Sequence, residues 1–192
     1  MIKKNKSESK IIGNITLFKL AGYITEKSEF AHRKVLDWLR VAEKSSNEMA
    51  ELIYSRLKKA KILKEYQTHH NIIVTAGRTV LARLLSGDTT YSGEVNYGAL
   101  GTDDTAADNG DTTLGTETFR KLQSSQSYSA NVCYVDFFYS ATDCDGTYEE
   151  FGNFIDGAAG ADTGQLFSHL ITGSWVKSNT ESLFVSCKYT IS

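Results

Sequence analysis

The sequence predicts an α+β protein: an antiparallel β-sandwich domain of jelly-roll-like type, with an N-terminal helical hairpin insertion and one short helix near residues 76–85. Three observations predict it. Charge divides the 192 residues in two. Met1 to His70 carries 15 Lys and Arg against 8 Asp and Glu, whereas Asn71 to Ser192 carries 6 against 15. Glycine divides at the same place, with 13 of 15 in the second segment, so the two regions follow different construction rules. Helical periodicity then stops near Leu85. Beyond it, short alternating runs rich in Tyr, Phe, Val and Thr are separated by Gly, Asp, Asn and Ser. Many short strands without helices between them point to a sandwich or jelly roll.

Each element has a local reason. Residues 1–10 are polar and are expected to form a flexible arm, ordered if at all by a partner. Residues 11–27 contain an extended run, Ile11 to Ile24, expected to join the β-domain. Residues 28–66 are expected to form the hairpin. Ser28 is placed to cap a helix from Glu29 to about Lys44, with Glu29 near its positive end. Phe30, Ala31, Val35, Trp38, Leu39 and Ala42 follow helical spacing there. Ser45-Ser46-Asn47 breaks it. A second helix is expected from about Glu48 to Tyr66, with Met49, Leu52, Ile53, Leu57, Ala60 and Leu63 as its stripe. A hairpin this short buries too little to stand alone, so its stripe should pack on the β-domain or on another subunit.

Residues 67–192 are expected to form the β-domain. Asn71 to Val74 reads as a short strand, and Ala76 to Leu85 as a helix ended by Gly87. Strands are then expected at Glu94–Leu100, Thr116–Gln123, Ala130–Tyr139, Thr147–Ile155, Gln165–Thr172 and Ser182–Ile191. Asp145-Gly146 reads as a strand-to-strand turn. Proline is absent, so turns rely on Gly, Asn and Asp.

Composition excludes little by itself. Hydrophobic residues are 41% and charged residues 23%, and the net charge of −2 names no class of partner. Three cysteines are too few for a disulfide framework, so free thiols in a reducing compartment are expected. No secretory signal and no membrane helix are expected.

Candidate chemistry is sparse. Asp103, Asp104, Asp108 and Asp111 share one loop, but their spacing fits no calcium loop. His69, His70 and His169 lack the paired spacing of a zinc site. Glu117, Glu149, Glu150 and Asp136 are raw material for acid–base work, without a motif that makes them converge. No nucleophile elbow or phosphate-binding glycine loop occurs. The expectation is therefore no catalytic residues, no metal and no cofactor. Arg56, Lys58, Lys59, Lys61 and Lys64 form a basic cluster. No groove-reading pattern accompanies it, so an acidic protein surface is a better partner than nucleic acid. With Trp38 and Leu52, these five are the interface candidates. Exposed aromatics are expected at Tyr91, Tyr97, Tyr128 and Tyr139.

The second segment carries an ordered series of short motifs. Asn71-Ile72-Ile73-Val74 is followed by Gly77 and Leu81-Ala82, then by Leu100-Gly101-Thr102. Asp111-Thr112 comes next, with Leu114, Glu117 and Arg120. Glu150-Phe151-Gly152-Asn153-Phe154 and Gly164-Gln165-Leu166-Phe167-Ser168-His169 follow, and Lys177 and the Ser182–Ile191 strand close the series. In this order the chain resembles structural proteins of tailed bacteriophages, notably the N-terminal domain of tail-collar and tail-fibre proteins and related small virion proteins. Asp103 stands where that group has a second glycine, Asn153 where it has an apolar residue and His169 where it has arginine. Gly13 to Phe18 is similar to the strand that normally precedes the Asn71–Val74 strand, which makes the hairpin an insertion.

The resemblance implies a non-enzymatic, oligomeric virion protein, assembled in the host cytoplasm among other virion proteins, away from any membrane. Its place is expected to be a joint or adaptor in the tail, collar or baseplate. A capsid decoration or head-fibre protein is an alternative, and a carbohydrate-binding host-attachment module or a glycan hydrolase are readings of another class. The resemblance also implies that Gly101, Leu114, Glu117, Arg120, Glu150, Gly152, Phe154 and Lys177 are a structural signature. The stretch from Ala99 to Arg120 then reads as a strand, a loop across one end of the domain, and a second strand.

Overall fold

The computed structural model describes residues 10–22 and 29–192. Most of the expected arm, and Ser28, lie outside the described residues. Among those described, the chain forms three helices and nine strands: β1 (Ile11–Ala21), α1 (Glu29–Lys44), α2 (Asn47–Lys59), β2 (Leu63–Ile73), α3 (Thr75–Leu85), β3 (Val95–Gly101), β4 (Glu117–Leu122), β5 (Ser125–Ser129), β6 (Val132–Tyr139), β7 (Gly146–Ile155), β8 (Gln165–Lys177) and β9 (Glu181–Ile191). The pairings are antiparallel and give one sheet in the order β4-β3-β7-β8-β2-β1-β9-β6-β5. The fold is thus α+β and mainly antiparallel sheet.

The sheet is curled. Its two end strands, β4 and β5, are consecutive in the chain. The Gln123 amide donates to the Asn96 carbonyl in one half, and the Ser124 amide to the Asp136 carbonyl in the other. On the opposite side β2 passes between the halves, pairing with β1 up to Asn71 and with β8 at Ile72 and Ile73. The concave faces meet in one core. Ile15, Leu17, Val135, Phe137, Val185 and Tyr189 come from one half, and Leu100, Phe151, Ile155 and Leu170 from the other. Phe137 meets Phe151 and Phe167 meets Tyr189, both edge-on. The Tyr139 hydroxyl donates to the Gly98 carbonyl across the core (3.0 Å). Tyr139 is therefore fully buried and not an exposed aromatic. Tyr128 is 84% exposed, and Tyr91 and Tyr97 are half-buried.

Several strands bury both faces, and their sequences show why. Leu17-Phe18, Phe137-Phe138 and Leu183-Phe184-Val185 put apolar groups on successive residues, and a strand points successive residues to opposite faces. The outer members Phe18, Leu20 and Phe184 form a second cluster with Val35, Leu36 and Leu39 of α1, and Tyr54 and Leu57 of α2. The hairpin thus packs on the sheet's own outer face. Burying each such side chain contributes about 1.5–3 kcal/mol.

Three local expectations are corrected. The second helix ends at Lys59, not Tyr66. Lys61 adopts a left-handed conformation (φ 58°), which stops the helix, and Leu63 then turns under the hairpin in register with Leu20. Leu63, Lys64 and Tyr66 consequently belong to β2; of the expected Asn71–Val74 strand, Asn71 to Ile73 are the end of that longer strand and Val74 caps α3. The Thr116–Gln123 strand is followed directly by a separate one, Ser125–Ser129, on the other sheet edge. Finally, Asp145-Gly146 closes no hairpin. β6 pairs with β5 and β9, whereas β7 pairs with β3 and β8, so residues 140–145 cross between the halves.

Candidate functional site

Seven of the eight signature residues, all but Lys177, gather on the half of the sheet formed by β4, β3, β7 and β8 and on the loop over it, the side of the core opposite the hairpin. The loop from Thr102 to Thr116 lies over that face. Leu114 anchors it, packing with Val74, Ala99, Phe154 and Leu166 in a third apolar cluster. Two glycines let the loop sit so close. A Cβ at Gly101 would stand 2.6 Å from the Thr116 carbonyl and collide with the Glu150 carboxylate. One at Gly152 would stand 2.7 Å from the Leu114 side chain.

Glu150, with no exposed surface, holds the loop from beneath. Its Oε1 accepts the amides of Thr116 (2.8 Å) and Asp103 (3.3 Å). Its Oε2 accepts the amide of Gly115 (2.9 Å) and His169 Nε2 (2.9 Å). The other ring nitrogen of His169 meets Asp111 Oδ2 at 2.7 Å. A carboxylate on each nitrogen favours the imidazolium, which can donate to both. Burial by itself lowers the His169 pKa, but the bonds to Glu150 and Asp111 outweigh it and raise the group above its ordinary 6.5. For Glu150, burial works upward and is likewise outweighed: His169 and the three amides hold it below 4.5.

A second buried pair fixes the next loop. Arg120 and Glu117, whose side chains are 3% and 2% exposed, pair at 2.5 Å through Nε and 2.7 Å through Nη2. The guanidinium also donates to the carbonyls of Ala158 (3.0 Å) and Thr163 (2.9 Å) and stacks on Phe154 at 4.5 Å. Lys177 lies elsewhere. It is buried where the chain crosses between the halves and donates to the carbonyls of Cys144 and Ala141.

These arrangements hold structure in place. A carboxylate has about four acceptor positions, and Glu150 uses four. Both ring nitrogens of His169 are engaged by carboxylates. A cavity of about 350 Å³ opens beside them, lined by Asp103, Thr112, Thr113 and Asp111. Among the described residues, no group of three or more His, Cys, Asp or Glu is arranged to hold a metal ion. His69 and His70 sit on successive positions of β2 and line one concavity with His169, but the three are not arranged to hold a metal ion.

The interface candidates lie on or beside the hairpin. Trp38 and Leu52 are 52% and 44% exposed, and Arg56, Lys58, Lys59 and Lys61 are exposed. Lys58 rests over the Tyr66 ring (4.6 Å), and Lys64, now a β2 residue, pairs with Glu181 (2.8 Å). Sequence reasoning missed the polar contacts beneath the hairpin. Arg40 Nε meets Asp136 Oδ2 (2.9 Å), and Ser186 donates to the other oxygen (2.9 Å). Glu43 accepts from Thr16 (3.1 Å) and from Tyr54. Each joins residues far apart in the chain, so no local pattern announces them. An acid within an apolar run, as at Asp136 between Val135 and Phe137, was the available signal.

Among the described residues, no helix is long and apolar enough to cross a membrane. Comparison with known proteins gives no match, whether to a family model, a curated protein or a solved structure.

Proposed function

We propose that this protein is a non-enzymatic structural component of a tailed-bacteriophage particle, an oligomeric adaptor or joint in the tail, collar or baseplate. The curled sheet is read as a jelly-roll-like sandwich module, a reading supported by the edge-on contacts Phe137–Phe151 and Phe167–Tyr189 across its core. One observation supports the function most. The residues carrying the resemblance form a saturated scaffold under one loop, with Glu150 and His169 fully bonded, while the exposed apolar and basic side chains lie on the hairpin. Rigid on one face and adhesive on another is what an assembly joint requires.

The test is mass spectrometry of gradient-purified particles from the phage that encodes the chain. The proposal expects this protein in every particle at a fixed ratio to the other tail components. Its absence from particles, with the protein present in the lysate, would refute the reading. A ratio matching the capsid protein would move it to the head.

A further inference from the structure

The molecule is polar in charge as well as in architecture. On one side of the core, the hairpin presents Trp38, Val41, Met49 and Leu52, each 44–53% exposed. Val41 and Met49 lie near the α1–α2 turn, and Trp38 and Leu52 lie one turn further from it on their respective helices, so the four form a strip along the hairpin. Arg56, Lys58, Lys59 and Lys61 follow along α2 and its C-terminal turn with no acid among them. On the other side, the Thr102–Thr116 loop carries Asp103, Asp104, Asp108 and Asp111 and no Lys or Arg. The nearby 156–164 loop adds Asp156 and Asp162. Of the cations on this side, His169 and Arg120 are buried beside carboxylates, and the exposed Arg78 is held by Asn109 of the loop, which leaves the carboxylates in excess. Where the acidic loop meets β2 and β8 there is a concavity of about 350 Å³. Ile72, Leu170 and Ile171 line it with Ala106 and Ala107 of the loop, His69, His70 and His169 edge it, and Asp104 contributes its carboxylate.

We propose that copies of this chain associate head to tail, the apolar and basic hairpin of one docking on the acidic loop face of the next. The concavity receives the hairpin's apolar strip, and the lysines and Arg56 flank it opposite Asp104 and Asp108. Charge complementarity selects a second copy: like faces repel, so hairpin does not pair with hairpin nor loop with loop. An interface made of two different patches is heterologous, so it closes into a ring or extends as a filament instead of stopping at a two-fold dimer. This specifies the mode of the self-association contained in the proposed function, but it stands on surface charge and shape.

The experiment is sedimentation velocity on the full chain across a concentration series, at low and high salt. Association is expected at about 50 mM salt and its loss at about 1 M, where the screening length falls to roughly 3 Å. The variant Arg56→Glu/Lys59→Glu alone, and Asp104→Lys/Ala106→Lys alone, should each remain monomeric. All four positions are exposed, so unchanged thermal unfolding serves as the folding control. An equimolar mixture of the two variants should associate again, because each then meets the opposite sign. A monomer under every condition overturns the inference, as does association that neither variant weakens. Association abolished by the hairpin variant alone also overturns it, in favour of hairpin pairing with hairpin. A monomer in solution that is nevertheless found in particles removes the head-to-tail mode and leaves the virion assignment standing.

Discussion

Removing the Glu150 carboxylate is the sharpest perturbation of the loop face. In Glu150→Ala the amides of Thr116 and Gly115, now bonded at 2.8 and 2.9 Å, lose their acceptor. His169, 5% exposed, keeps only Asp111 as a counter-charge. Breaking a buried charge pair from one side costs about 3–5 kcal/mol, and each orphaned amide adds about 1–3 kcal/mol where water cannot reach it. The loop can lift and admit water, which offsets most of the amide cost, so the net loss is set near the pair alone, about 3–5 kcal/mol. For a chain of this size that is a fall of roughly 6–20 °C in Tm. Urea unfolding measures it, and hydrogen exchange at Gly115 and Thr116 reports whether the loop is what opens. Glu149→Ala is the control: its carboxylate bonds the amide and hydroxyl of Ser174 in an exposed position, and its loss should cost about 0.5–1.5 kcal/mol. A Glu150→Ala loss below about 1 kcal/mol would refute the view that this carboxylate holds the loop.

Other consequences follow from the same contacts. The His169 pKa is raised on folding, so its contribution is complete below its ordinary 6.5 and is lost as pH climbs through the higher folded value. That of Glu150 is lowered, so its contribution is present above 4.5 and is lost as pH falls through the lower folded value. The stability difference between the parent and His169→Ala should therefore peak between these two pH values; a difference that grows toward alkaline pH would contradict it. Gly152→Ala drives a methyl into Leu114 and should cost about 1–3 kcal/mol in chemical denaturation, with Leu114→Ala in the same chain relieving part of it. Arg120→Lys keeps the charge but loses the fork that reaches Glu117 and the Thr163 carbonyl together. Limited proteolysis should then cut within residues 156–164 faster than in the parent; equal rates would show that the fork is dispensable.

What the sequence disclosed followed from local chemistry. Alternation marked β3, β6, β7 and β9 to within two residues but stopped β8 at Thr172, five residues before its end at Lys177, and the Leu100-Gly101 and Glu117…Arg120 spacings marked the loop's two ends. Where charge interrupted a pattern the reading failed. Leu63-Lys64-Glu65 continues a helical stripe as well as it begins a strand, and only the left-handed backbone at Lys61 and the pairing with β1 decide for the strand. Asp-Gly chemistry permits a tight turn at Asp145-Gly146, but the chain's ends at that point belong to different halves of the sheet, a long-range fact. The His169 cluster was hidden for the same reason. Asp111, Glu150 and His169 lie on three separate segments, and His169 reads in sequence as a departure from the expected arginine. In space its ring meets a carboxylate at each nitrogen, a contact that ties the loop to pH.

The most direct measurement is a reconstruction of the particle that resolves this protein's hairpin. Trp38, Val41, Met49 and Leu52 are expected to be buried against a neighbouring subunit, with the Thr102–Thr116 loop in the same conformation in every copy. A hairpin strip left in solvent, or a particle from which the protein is missing, would contradict that expectation.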